Sequence, residues 1–201
     1  MKNNKLAVPV AIFVVVLSLF SWRTVTRAAE WKDQFTLFGA DVKKSDNSAH
    51  MRLYWGLALR DKGYDCLDAN KKETNWAKYQ ENEKQYKEWM WKAIEQFKKG
   101  VEIFPEYAYC YEQLGVLYDQ YGVKINNMTY RDTAEYYFLK SLQYVPSKAT
   151  CNSNLAKIYF ERGDMMKAKH YYKEAVLYDP LLVDGYFNLG STHGTLAMYD
   201  S

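Results

Sequence analysis

The sequence predicts an all-α protein, an N-terminal membrane helix followed by an α-solenoid of helix-turn-helix repeats. Three observations predict it. An uncharged apolar run fills residues 6–22. Pro146 and Pro180 each close an apolar-periodic stretch, and they stand 34 residues apart, the period of a stacked helix pair. Only four prolines and ten glycines interrupt 201 residues that are 17% aromatic, which suits helices packing large rings against one another.

The apolar run, Leu6 to Trp22, has the length of a short membrane span across a hydrocarbon core of about 30 Å. Lys2 and Lys5 precede it, Arg23 and Arg27 follow, and Trp22 sits where an interfacial aromatic belongs. A cleavable signal peptide, ending at Ala28 and Ala29, is the competing reading and would give a soluble exported scaffold. Two arginines before that cleavage site oppose it. Positive charge on both sides leaves the orientation open to the positive-inside rule. Residues 1–29 are therefore expected to form the anchor and its flank.

The repeat is clearest in residues 149–182, where Leu155 and Ala156 are followed by Tyr159, Gly163, Ala168, Tyr172, Ala175 and Pro180. Ala156 and Ala168 let two helices approach closely, and Tyr159 and Tyr172 fill the space beside them. Gly163 is placed to stop the first helix in left-handed geometry and Asp164 to cap the second. Residues 183–201 repeat the opening, with His193 packing where Tyr159 stands. Residues 108–148 form the preceding unit, with a loop insertion expected over Gly122 to Tyr130, where Asn127-Met128-Thr129 reads as a glycosylation sequon or, alternatively, Thr129 as a cap for the following helix. Residues 49–107 form the first unit. Its first helix carries Trp55, Gly56, Leu59 and Gly63, and its second is extended backward to Trp76. A coiled-coil seam over that extension is the alternative. Residues 30–48 read as a lone second helix joining anchor to array.

The run from Leu155 to Pro180 resembles the tetratricopeptide repeat (TPR), with similar matches across residues 49–201. The junction of the apolar span, Arg23 to Arg27, Trp31-Lys32-Asp33, Leu37-Phe38 and Asp46 to Ala49 resembles the large transmembrane and TPR-containing proteins similar to protein O-mannosyltransferases. That second resemblance implies repeats facing away from the cytosol, and a chain that is a C-terminal fragment or relative of a multi-spanning glycosyltransferase presenting acceptor polypeptide. The membrane helices carrying that chemistry are not in this sequence. Tyr199-Asp200-Ser201 follow a single last helix with no capping partner, which suggests a longer protein or self-association through that face.

Function is expected in the groove lined by first helices, which holds a protein or peptide. By repeat position the outward residues include Glu112, Gln113 and Gln120, then Asn154, Lys157 and Glu161, then Asn188 and Ser191. Gln113, Asn154 and Asn188 form a recurring amide row, able to offer donors and acceptors to an extended backbone; solvated polar positions are the plain alternative. Lys157 and Glu161 are spaced to pair with each other. The nearly even charge, 27 basic to 24 acidic groups, argues against nucleic acid as a partner. His50, His170 and His193 lack metal-ligand spacing, Cys66, Cys110 and Cys151 form no staple, and no nucleophile-base or phosphate-loop pattern occurs. No metal, cofactor or enzymatic activity is expected of this chain.

Overall fold

The computed structural model describes residues 4–199, so Lys2, Asp200 and Ser201 lie outside the described residues. Among those described, the chain is helical throughout: α1 (Asn4–Glu30), α2 (Gln34–Lys44), α3 (Ala49–Asn70), α4 (Trp76–Ile103), α5 (Ala108–Lys124), α6 (Met128–Tyr144), α7 (Ala149–Glu161), α8 (Met165–Tyr178) and α9 (Val183–Tyr199). The pairs α3 with α4, α5 with α6 and α7 with α8 carry most of the packing; α2 leans on α3 and α9 on α8. This is the expected all-α solenoid behind an apolar helix.

Local chemistry starts and stops the helices. Asp33 accepts from the Thr36 amide at 2.7 Å, Ser48 from Met51 at 3.3 Å, Asn75 from Ala77 at 3.0 Å and Asp164 from Lys167 at 3.1 Å. Each satisfies an amide that a helix start leaves unpaired. Gly163 sits at φ +83°, and the Asp164 amide folds back to the Tyr159 carbonyl at 2.9 Å, closing α7 as predicted.

The first two hairpins close by fitting a large ring into a notch left by a small residue. A Cβ on Gly56 would lie 2.4 Å from the Phe97 ring, and one on Gly115 would lie 2.6 Å from Phe138. Both rings are fully buried. In the third hairpin Ala156 and Tyr172 share the same core. Between hairpins a second small contact recurs. A Cβ on Gly100 would lie 2.6 Å from the Cys110 sulfur. One repeat later the Ser141 hydroxyl donates to the Ala108 carbonyl at 2.9 Å and hydrogen-bonds the Cys151 thiol. The two thiols are free and buried, which pushes Cys110 up to about 12 and Cys151 to about 11.

Several expectations need correction. The extra residues of the 108–148 unit do not form a long loop: α5 runs to Lys124 and α6 starts at Met128. The cap of α6 is Asn127, which accepts from Thr129 at 2.9 Å, not Thr129 itself. In the first unit the lengthening is shared, because α3 continues past Gly63 to Asn70 while α4 reaches back to Trp76. Glu30 ends α1 rather than opening the next helix. His193 is exposed instead of packed like Tyr159, since α9 has no following helix to close over it among the described residues.

Helix α1 differs from all the others. Its apolar side chains from Val8 to Trp22 are exposed, and it is long and apolar enough to cross a membrane by length and composition. Near its end it meets the array, where Arg27 binds Asp41 at 2.6 Å and Lys44 binds Glu30 at 2.8 Å.

The notches are testable by matched substitutions. Gly115→Ala forces a methyl into the Phe138 ring, and overpacking of about 1–3 kcal/mol outweighs a helix-propensity gain of at most about 1 kcal/mol. Gly190→Ala meets nothing within 4 Å and gains that propensity unopposed. The urea midpoint is expected to fall in the first variant and to rise or hold in the second.

Candidate partner-binding groove

The first helices α3, α5 and α7 lie side by side, and their facing side chains are tied across the repeat boundaries. The Arg60 guanidinium on α3 donates to the Gln113 side-chain oxygen on α5. One turn further, the Tyr64 hydroxyl donates to Gln120 at 2.8 Å. Between α5 and α7, Arg131 reaches Asp119 at 3.3 Å and also binds Glu161. Lys157 stands 3.9 Å from the same Asp119. These bonds hold the side chains of the groove in place before any partner arrives.

The expected site residues separate into three groups. Gln120 and Lys157 line a cleft on this side of the array, Gln113 is half-buried and bonded to Arg60, and Asn154 is half-buried with no side-chain hydrogen bond among the described residues. Glu112 does not face outward. It is 9% exposed and is bound by Lys148 and Thr150, so its carboxylate fastens the start of α7 to α5. Glu161 pairs with Arg131 rather than with Lys157, because the guanidinium approaches from α6 while Lys157 leans toward Asp119. Asn188 is half-buried and Ser191 exposed on α9, and among the described residues neither side chain is bonded to the row made by Gln113 and Asn154.

Bonding within the row alters what it offers. An arginine only donates, so Gln113 accepts through its side-chain oxygen, and its side-chain N–H groups make no hydrogen bond among the described residues.

A cleft of about 300 Å³ opens in this face, lined by Tyr64, Leu67, Tyr86, Asp119, Gln120, Val123, Lys124 and Lys157. Its wall is the extra length of α3 and α4. That extension is fixed against α5 by Lys124, which binds Glu83 at 2.6 Å and lies over the Tyr86 ring at 4.4 Å. Burial pushes the Tyr86 hydroxyl up to about 12 and raises Tyr64 as well, keeping both neutral.

Arg60, Tyr64, Tyr86 and Arg131 are functional neighbours that pattern reading passed over. Arg60 and Asp119 occupy equivalent places after Gly56 and Gly115, a register signal that was available. Arg131 stands directly after the segment read as a loop, where no role was assigned.

Neither a family model nor a curated protein matches the chain. Solved structures do. The chain is similar to a thermophilic TPR protein of Thermus thermophilus, with TM-score 0.54 and 18% identity over 77% of this chain and 69% of that one. It is also similar to the MamA protein, with TM-score 0.55 and 18% identity over 81% and 72%. The first TPR domain of human RPAP3 matches with TM-score 0.51 and 15% identity over 74% and 97%. The fold is thus that of a TPR array, while the O-mannosyltransferase-like junction rests on the sequence alone.

The ion-pair centre is open to test. Arg131→Met leaves Asp119, 8% exposed, with only the distant Lys157. Breaking such a pair costs about 3 kcal/mol. Thermal unfolding of this variant is expected at a clearly lower temperature, with part of the loss recovered by adding Asp119→Leu.

Proposed function

We propose that this chain is a membrane-anchored TPR scaffold whose groove holds an extended segment of a partner protein. The observation that carries the reading is the bonded lattice across α3, α5 and α7. It fixes Gln113 against Arg60 and leaves the half-buried Asn154 and the exposed Lys157 with bonding capacity for a peptide. Side chains with donors to spare are suited to the carbonyl groups of an extended backbone, and the prior fixing of Gln113 lowers part of the entropy cost of binding.

The anchor follows from α1. Side chains such as Phe13, Leu19 and Phe20 are 63%, 64% and 64% exposed. Each stands to gain about 1.5–3 kcal/mol on leaving water, which a bilayer supplies. The repeats stand outside the cytosol, as the junction resemblance implies. The turn between α1 and α2 spans only Trp31 to Asp33, and the Arg27–Asp41 pair stiffens it, so the array stays close to the bilayer.

That short, braced junction also favours a second reading. In it the repeats continue from the last of several membrane helices in a longer glycosyltransferase of the O-mannosyltransferase-like kind and present its acceptor polypeptide. In-frame coding sequence for further spans upstream of Met1 supports that reading; a stop codon and ribosome-binding signal there oppose it.

The test of the scaffold uses the full chain. It is expected to stay with membranes through a high-salt, alkaline wash, and in detergent to retain a partner that Gln113→Ala, Asn154→Ala and Lys157→Ala together release. Release from membranes by the wash overturns the anchor. Equal partner retention by the folded triple variant moves the interface off the groove.

A further inference from the structure

A cavity of about 1010 Å³ opens where the end of α1 meets α2, and it shares no lining residue with the groove cleft. Phe20, Arg23, Thr24, Arg27 and Ala28 line it from α1, and their three- and four-residue spacing puts them on one face of that helix. Asp41 and Lys44 line it from α2, and the exposed Trp31 from the turn between the two. Its volume is that of a ligand site.

The charges around the cavity are unequal. Arg27 binds both Glu30 and Asp41, and Lys44 binds Glu30, so both carboxylates are already held. Arg23 is exposed and makes no ion pair or side-chain hydrogen bond among the described residues. Three cations thus face two carboxylates, and the surplus positive charge resides on Arg23. The neighbouring hydroxyls are spent as donors inside the helix, Thr24 on the Phe20 carbonyl at 2.8 Å and Thr26 on the Trp22 carbonyl at 3.0 Å. The cavity therefore suits an anion received by the Arg23 guanidinium.

Depth decides what kind of anion. With α1 in a bilayer the apolar run ends at Trp22, which sets Arg23 just beyond the hydrocarbon, at the level of lipid phosphates. Phe20, about one turn back on the same face, is 64% exposed and stands at the level of the first acyl carbons. Trp31 is 67% exposed and offers an indole to the headgroup beyond the phosphate. A soluble anion engages only Arg23, whereas a phospholipid engages all three. A zwitterionic headgroup brings an ammonium that finds both carboxylates taken, while a headgroup without that cation leaves the site neutral.

We propose that the cavity between α1 and α2 binds one anionic phospholipid, with its phosphate on Arg23, the start of an acyl chain on Phe20 and its headgroup against Trp31. The inference rests on the anchor half of the proposed function and adds a lipid specificity to it.

The test offers the full chain in detergent an equimolar mixture of phosphatidylglycerol and phosphatidylcholine, and native mass spectrometry identifies the lipid retained. One phosphatidylglycerol per chain is expected, favoured about fivefold or more over phosphatidylcholine. Arg23→Gln is expected to remove that preference. Lys32→Gln, the same loss of charge outside the cavity lining, is expected to keep it. Both side chains are exposed, and an unchanged circular dichroism spectrum verifies that each variant is folded. Excess inorganic phosphate is expected to leave the lipid in place; displacement by it assigns the site to a soluble anion and overturns the proposal. Equal retention of the two lipids, retention of neither, or the same loss in both variants also overturns it. The anchor is read separately from the alkaline membrane wash, so it stands in each of these cases, and release in that wash overturns both.

Discussion

The structure depends on a contact made in each of the first two hairpins, a buried ring set against a residue too small to obstruct it. Phe97 lies over Gly56 and Phe138 over Gly115, with no room for a single extra methyl. Close approach of the helices allows the rest of each hairpin to bury its apolar stripe, because interiors are packed densely and a shift of one side chain is felt by its neighbours. The same economy governs the joints between hairpins, where Gly100 and Ser141 receive Cys110 and Cys151. Those cysteines are packing residues of suitable size, and burial holds them as thiols.

Once successive hairpins are stacked at fixed spacing, their first helices are brought side by side, and the groove is a consequence. Its polar residues serve two ends. Arg60, Tyr64 and Arg131 tie one repeat to the next, and in doing so they decide which atoms of Gln113, Gln120 and Glu161 remain for a partner. On the proposed function, stability and recognition share residues here. In a repeat array each unit touches only its neighbours, so a bond that crosses a boundary also passes cooperativity along the stack.

Much of this was legible in the chain. The spacing of Pro146 and Pro180, the small residues Ala156 and Ala168 and the Gly163-Asp164 turn fixed the repeat, because each marks a place where backbone geometry or close packing allows few residue types. Boundaries were less legible where helices lengthened. The segment after Gly122 lacks the stop chemistry of Gly163, and α5 ran on to Lys124. At the groove, repeat position misplaced Glu112, whose partner Lys148 lies 36 residues away, beyond the reach of local pattern. The cleft was not legible at all, since it needs two lengthened helices and the end of a third to meet in space.

The account's central claim is that the face lined by the first helices is the working surface, and site-specific photo-crosslinking in cells tests it most directly. A benzophenone amino acid is placed at Asn154 within the groove and, in a separate variant, at Tyr136 on the exposed side of α6. The account predicts a discrete light-dependent adduct from position 154 and none from position 136. An adduct from position 136 with none from position 154 would contradict it.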